Sequence, residues 1–544
     1  MLLRLTSGKG CWFPHDRPVT LPSMNDQRPT RVRHLVLGAL CSLACLTYFD
    51  RICIMQVQND ISRDLHFNQL TARDEEQLRA EGKQNDVEAR AKLENARANE
   101  RMSFVFLAFI VGYGLMEIPG GWLGDTWGPR AVIFRIVVIW SIFTALTGSV
   151  DGIVSWFVSN PEPGILLGVM ILVRFVFGLG EAGAYPNIGR VLARWFPFRD
   201  RAVAQSFIWF SSRIGGAISP AIIGELARVA GGWRQAFWVL GGVGVAWAFF
   251  FYFWFRDRPE EKAAVNQAEA DLIRSDATVG SIHDESTHGD VPWRRLFFST
   301  NIWALNLTSA CVSFCWYFNV TFLPKYLEEQ FGVSFENSRW FSGSPLLVGA
   351  AGCLLGGWAS DYLIRRTGSR RWGRSLLGLC GFGVAGLVTL CIPGLPDYKL
   401  VIVALCIVSA FQDLAIPCIW TVCADIGERF AATVAGCMNC VGAVGSILGI
   451  YLAPRLAHEF GWNRVFVVNG CLYLVGARLW LRINATERLS PQPTITPSPA
   501  LPSEDSGSRL NREATPLPGV STHPAVLTIP SAHPATADDP AKLP

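Results

Sequence analysis

Apolar runs of about twenty residues, separated by shorter polar stretches, recur along the chain from Leu35 to Leu481. A run of that length crosses the hydrocarbon core of a bilayer as a helix. The pattern predicts an all-α membrane protein with roughly twelve transmembrane helices. The first six predicted spans are Leu35–Val57, Met102–Leu123, Ala131–Val150, Ile171–Trp195, Ala202–Leu226 and Ala236–Phe255. The second six are Ile302–Tyr326, Phe341–Ile364, Ser375–Ile392, Leu400–Ala424, Ala431–Leu452 and Val465–Leu481. A polar segment, 1–34, precedes the first half (35–255), and a polar linker, 256–300, separates it from the second half (301–483). The tail, 484–544, is rich in Pro, Ser, Thr and Ala and is expected to be disordered. A hydrophilic insert, Asn59–Arg101, follows the first span; its i,i+4 charges and missing apolar stripe fit a solvated helix or a mobile charged loop.

Basic residues in short loops set the expected orientation. Arg190, Arg194, Arg199 and Arg201 follow the fourth span, and Arg365, Arg366, Arg370, Arg371 and Arg374 follow the eighth. The loop after the third span has no Lys or Arg. Even-numbered loops and both termini are therefore expected in the cytoplasm, with the insert outside. The halves also repeat. Gly120-Gly121-Trp122-x-x-Asp125 recurs as Gly356-Gly357-Trp358-x-x-Asp361, and GWRQAFWVLG from Gly232 aligns with GWNRVFVVNG from Gly461. Two parallel copies about an axis along the membrane normal place a binding site near mid-membrane between them.

Composition agrees: 50% of residues are hydrophobic and 17% charged, against ~25% charged in soluble domains. Most of the fifteen cysteines lie in apolar runs, where a thiol acts as a small hydrophobe. Cys437-x-x-Cys440 falls within a span with no second pair or nearby His at zinc spacing, so no metal or cofactor is expected. The first thirty or so residues lack the apolar segment of a cleavable signal peptide. There is no P-loop and no nucleophile elbow, which argues against an ATP-driven pump and against an enzyme. No nucleic-acid partner is expected.

Charges inside spans are the candidate chemistry, since each costs at least ~2.5 kcal/mol on insertion scales. In the fourth span, ILVRFVFGLGEAGAYPNIGRVLARW, Arg174 and Glu181 are seven residues apart. That spacing puts them on one helix face, roughly 10 Å apart along the axis. Gly178, Gly180, Gly183 and Gly189 allow close helix approach, and Pro186 loosens the backbone ladder. The pair reads as a guanidinium and a carboxylate on a water-accessible path, with a buried structural ion pair as the alternative. Asp50 and Arg51 lie within the first span or at its outer end, where an interfacial pair would be cheap. Arg213 sits in mid-span, with Glu117 or Asp413 as structural partners on the plainer reading. Tyr113 and Trp420 serve either as ligand contacts or as packing residues, and Asn439 either as a ligand contact or as a helix–helix hydrogen bond.

The loop GDTWGPR resembles the signature of the major facilitator superfamily, G-x-x-x-D-x-x-G-x-R, at Gly121, Asp125, Gly128 and Arg130; the second copy keeps Asp361 and Arg365. Asp125 can face a helix N-terminus or a basic group of the opposite half, and Arg130 can bridge to acids, so these loops would latch one conformation. The segments TYFDRICI, GYGLMEIPGGWLGD, RFVFGLGEAGAYPN, RWFPFRDRA, FRDRPEE and CADIGERFAATVAGCMN further resemble the anion:cation symporter family, which includes sugar-acid permeases and the sialin and vesicular glutamate carriers.

That resemblance implies proton-coupled symport of a small organic anion, a sugar acid such as a hexuronate or aldonate or a related carboxylate. Asp50 and Glu181 would carry protons and Arg51 would couple them to the bound carboxylate. Arg174, Arg213, Tyr113, Trp420, Thr421 and Asn439 would complete the substrate site. Anion exchange and sodium coupling are alternatives, and a non-transporting membrane receptor is a different class. The expected setting is the plasma (inner) membrane, with the protein working as a monomer. The chain departs from the family in having Glu117 and Arg213 where Gln is common, and in its long insert.

Overall fold

The computed structural model describes residues 28–274, 291–333 and 335–489. The expectations for 1–27, for 275–290 of the linker and for the tail from 490 onward fall outside the described residues. The first half contains α1 (Val32–Gln56), α2 (Gln58–Asp64), α3 (Ala72–Ala80), α4 (Val87–Trp127), α5 (Pro129–Thr147), α6 (Val150–Ser155), α7 (Pro163–Glu181), α8 (Ala184–Trp195), α9 (Arg201–Ala230) and α10 (Trp233–Trp254). Two short helices, α11 (Gln267–Arg274) and α12 (Trp293–Phe298), precede the second half. That half is α13 (Thr300–Phe331), α14 (Phe335–Thr367), α15 (Arg370–Cys391), α16 (Tyr398–Gly427), α17 (Ala431–Phe460) and α18 (Trp462–Leu479).

Among the described residues, eight helical stretches are long and apolar enough to cross a membrane by length and composition; one, Tyr398–Phe460, holds both α16 and α17. The twelve-helix layout is completed by α9, α13 and α18. These are less apolar because they turn polar groups inward: Gln205, Ser212 and Arg213 on α9, Asn306 and Ser309 on α13, and Asn469 on α18, all buried. Packing follows the internal repeat. In the first half α1 packs on α9, α4 on α7 and α5 on α10; in the second, α13 packs on α17, α14 on α16 and α15 on α18. Gly232 and Gly461, from the second repeated motif, are the N-caps of the corresponding helices α10 and α18.

The fourth span differs from expectation. It is two helices, α7 and α8, and it begins eight residues earlier than the predicted span. The break is at Ala182–Gly183, with Gly183 left-handed at φ +84°. Pro186 lies in the first turn of α8, where its missing N–H is cheap, so it does not cause the break. Gly183 is required for a second reason: a Cβ there would come within 2.8 Å of Gly120 Cα. Close contact between α4 and the α7–α8 junction excludes any side chain at this point.

The insert forms α2, α3 and the first turns of α4, which continues unbroken into the membrane. At 41 residues α4 is about 60 Å long, roughly twice the hydrocarbon thickness. A capping box between Thr71 and Asp74 starts α3, and Asp86 caps α4. Asp74 is buried and joined to Arg97 of α4 through two guanidinium nitrogens, Nη2 to Oδ1 at 2.6 Å and Nε to Oδ2 at 3.0 Å. In the linker, buried Glu269 of α11 accepts from the Val32 and Arg33 backbone N–H groups and from Thr30 Oγ1, so it caps α1.

Hydrogen bonds from Arg97 hold the Asp74 carboxyl down at about 2. A carboxyl depressed on folding stabilises the docked insert fully above its unfolded value near ~4, and this contribution fades as pH falls toward that lower value. Hydrogen exchange of α3 should therefore accelerate only across that acid window. Asp74→Asn should release α3 at neutral pH, seen as faster tryptic cleavage at Arg79 and Lys83.

Candidate functional site

The halves meet along two seams that the repeat relates, α4 against α17 and α9 against α14. Between them lies a cavity with about 830 Å3 of empty space, part of it open to solvent. Its walls are strongly aromatic: Tyr48, Tyr113, Tyr185 and Trp209 from the first half face Trp316, Tyr317 and Trp420 from the second. An adjoining chamber shares Arg51, Arg213, Trp316 and Tyr317, and reaches Met55, Phe106 and Leu346 toward the end that carries the insert.

Arg51 projects from α1 into both chambers. Its Nε donates to Glu181 Oε1 at 2.5 Å, and its guanidinium lies 4.5 Å from the Tyr113 ring centroid. Glu181 is fully buried, whereas the Arg51 side chain is 20% exposed and its buried Nη2 has no hydrogen-bond partner among the described residues. Glu181 is the last residue of α7, at the negative end of the helix dipole, where a carboxylate needs a counter-charge. Arg174, expected to share a path with Glu181, is buried but lines the adjoining chamber; it lies over the Phe177 ring at 4.0 Å, and its Nε and Nη1 have no hydrogen-bond partner among the described residues. Asp50 points elsewhere: it is buried and accepts from Thr144 Oγ1 of α5 at 3.1 Å. Neighbours on a helix are about 100° apart, so Asp50 and Arg51 cannot share one wall.

On the opposing seam, Asn439 Nδ2 of α17 donates to Tyr113 OH at 2.7 Å and to Glu117 Oε1 at 2.9 Å. The backbone at Gly183, at the start of α8, lies beside the buried Glu117 carboxylate, whose Oε2 has no hydrogen-bond partner among the described residues. The break in the fourth span thus turns a positive helix end toward an acid at membrane depth.

Arg213 pairs with Asp413, not with Glu117. Its Nε meets Oδ2 at 2.6 Å and its Nη2 meets Oδ1 at 2.8 Å, while Nη1 donates to Tyr48 OH at 3.0 Å. This buried fork joins α9 to α16, and so one half to the other. Trp420 lines the cavity beside Tyr185 and Trp209, with ring centroids 5.8 and 5.5 Å away. Thr421, next in sequence, does not line it and donates to Pro417 O of its own helix.

The signature-loop residues gather at the end opposite the insert. Asp125 accepts from Thr433 N and Thr433 Oγ1, both at 2.7 Å, and from Ala432 N, at the N-terminus of α17 in the other half. Arg190 pairs with Asp125 and donates to Glu428 O. In the second copy Asp361 accepts from Val203 N, at the N-terminus of α9. A Cβ at Gly121 or Gly357 would strike the carbonyl of Ala432 or Ala202 respectively, so both seams need glycine there. Arg374 is the partner of Asp361, at 3.0 Å, while Arg365 is exposed at the end of α14. Arg130 donates to the Tyr252 carbonyl rather than to an acid, and its backbone N–H meets Asp257 beside Gly128, whose φ is +89°.

Tyr48, Tyr185, Trp209, Trp316 and Tyr317 are cavity residues that the sequence did not single out as site residues. For Tyr48, Tyr185 and Trp209, a place in spans that also carry Arg51, Glu181 or Arg213 is the signal that was available; Trp316 and Tyr317 lie in the seventh span, which carries none of the three. Among the described residues, no three His, Cys, Asp or Glu side chains come together as a metal site would require, and Cys437 and Cys440 are free thiols.

The Major Facilitator Superfamily profile matches residues 40–450 and also 369–529. The chain is similar to the probable sulfoacetate transporter SauU of Cupriavidus necator, 28% identical over 458 residues, covering 84% of this chain and 94% of the relative. It is similar to the probable galactarate/D-glucarate transporter GudP of Escherichia coli, 29% identical over 70% of this chain and 83% of the relative. It also resembles the D-galactonate transporter of Escherichia coli, 27% identical over 69% and 85%. Among solved structures, the proton:xylose symporter XylE superposes with a TM-score of 0.62 at 15% identity, covering 84% of this chain and 98% of that one. The human organic anion transporter MFSD10 superposes with 0.60 at 15% identity, covering 83% and 100%.

Removing the Asp125 carboxylate leaves the α17 N-terminus without its acceptor, at a cost of about 1–3 kcal/mol. Asp125→Ala should therefore favour opening at this end. Maleimide labelling of buried Cys437, one turn beyond Thr433, should become faster than in wild type.

Proposed function

The chain belongs to the major facilitator superfamily, and on that basis we propose that it is a proton-coupled symporter of small organic anions working by alternating access. The observation that carries the proposal is the Arg51–Glu181 pair, a partly exposed arginine side chain on the cavity wall, with Nη2 unpartnered among the described residues, held by a fully buried carboxylate. An entering carboxylate can take Arg51 in fork geometry and draw it from Glu181. Glu181, stripped of its counter-charge in a low-dielectric site, is then neutralised by a proton. Substrate and proton thereby load together. The named relatives fit this reading, since sulfoacetate, galactarate, glucarate and galactonate are all organic anions.

The two halves, 35–255 and 301–483, are the rocking units. The Asp125 and Asp361 contacts hold the signature-loop end closed, and the chamber toward the insert is the entry. With even-numbered loops and both termini in the cytoplasm, that entry is extracytoplasmic, and the protein works as a monomer in the plasma membrane. Asp50 serves as a second protonatable acid beside Arg174 rather than as the direct partner of Arg51; Arg174 interacts electrostatically with both Asp50 and Glu181.

Uptake by protein-containing liposomes under an inward proton gradient tests this reading, with labelled sugar acids and other carboxylates. Wild-type uptake should rise with the gradient. Glu181→Gln should lose gradient-driven accumulation yet retain counterflow exchange, and Arg51→Lys should lose about tenfold or more in apparent affinity. If Glu181→Gln accumulates substrate as wild type does, Glu181 is not the proton carrier.

A further inference from the structure

Two guanidinium groups, not one, line the central cavity, and each is matched by its own buried carboxylate; a third, Arg174, lines the adjoining chamber. Arg51 is held by Glu181 and Arg213 by Asp413. Tyr48 ties them to one wall: it lies one helical turn from Arg51 on α1, and its hydroxyl accepts from Arg213 Nη1. Resting on the anion-carrier reading above, we propose that the substrate is a small dianion whose second anionic group takes Arg213 from Asp413. The Arg213–Asp413 pair is then the specificity determinant for charge.

The surroundings of the pair support exchange rather than a fixed strut. A buried ion pair adds little stability over well-packed apolar residues, so its presence across a cavity calls for another reason. Asp413 has a second donor ready, because Gln412 Nε2 donates to Asp413 Oδ1 at 3.1 Å and is itself steadied by Tyr473 OH on its oxygen. The carboxylate therefore keeps a hydrogen bond when Arg213 turns away. Gly349 of α14 leaves room for it, since a Cβ there would overlap the Asp413 carboxylate. Trp209 and Trp316 flank the guanidinium at 5.6 and 5.5 Å, a weakly hydrated setting in which an anion gains from pairing.

Charge balance favours the same substrate. A monoanion can relieve only one carboxylate of its guanidinium. It would leave the other pair intact and the halves still joined through α9 and α16. A dianion engages both cations and loosens both pairs in one binding event. That opens the α9–α16 contact between the halves as the cavity fills.

The test is counterflow in liposomes with matched monoanions and dianions of similar size, such as acetate against malonate and galactonate against galactarate. It compares wild type with Arg213→Gln/Asp413→Asn, which removes both charges and leaves no unpaired ion, and with Asp413→Asn alone. Wild type should prefer the dianion of each pair. The double variant should lower the dianion-to-monoanion ratio about tenfold or more, and Asp413→Asn, which frees Arg213, should raise it. A purely structural pair would depress both substrates in parallel and leave the ratio unmoved in both variants. Such a result, or a wild type that prefers monoanions, overturns the proposal while the anion-carrier reading stands. A wild type that exchanges no anion overturns both.

Discussion

Water is absent from the hydrocarbon core, so an ionised side chain placed there must find its counter-charge or donors within the protein. The interior of this bundle is arranged around that requirement. Arg51 is matched by Glu181, Arg213 by Asp413, and Glu117 by Asn439 and the start of α8. Each solution has a structural consequence. The broken fourth span exposes a helix end to Glu117, Gly183 permits the break, and Gly120 permits the approach of α4. The Arg213 fork brings α9 and α16 together across the cavity.

Charges at mid-membrane and contacts at the closed end share the same rigid elements. α4 carries Tyr113 and Glu117 in the cavity region and Asp125 at its end; α9 carries Arg213 in the cavity and the Val203 N–H that Asp361 engages. A change of partner at Arg213 would therefore act on α9, whose N-terminus makes the Val203–Asp361 contact. This is a physical route for coupling through discrete helices with alternative contacts, without any diffuse pathway. The repeat gives the closure two equivalent parts, Asp125 on the N-terminus of α17 and Asp361 on that of α9, so the two seams are held by the same chemistry. In both, a carboxylate accepts from exposed N–H groups at a helix start.

The sequence by itself determined the class of protein, the number and order of spans, the twofold repeat, and which ionisable residues lie at membrane depth. Those features rest on local quantities: the length of an apolar run, the spacing of a motif, the rarity of a charge among apolar neighbours. Which charges meet, and which face the cavity, only the tertiary structure decided. Arg174 and Glu181 share a span, yet Glu181 is paired with Arg51 of another helix. Asp50 and Arg51 are adjacent, yet face different helices. Arg374, one of several arginines after the eighth span, is the partner of Asp361, while Arg365 is exposed. In an apolar span, an aromatic residue that faces lipid and one that lines a cavity look alike, so Tyr48, Tyr185 and Trp209 did not stand apart. The missing information is the rotation of each helix about its axis and the identity of its neighbours. Both are set by side-chain packing summed over the whole bundle, which no window of the chain contains.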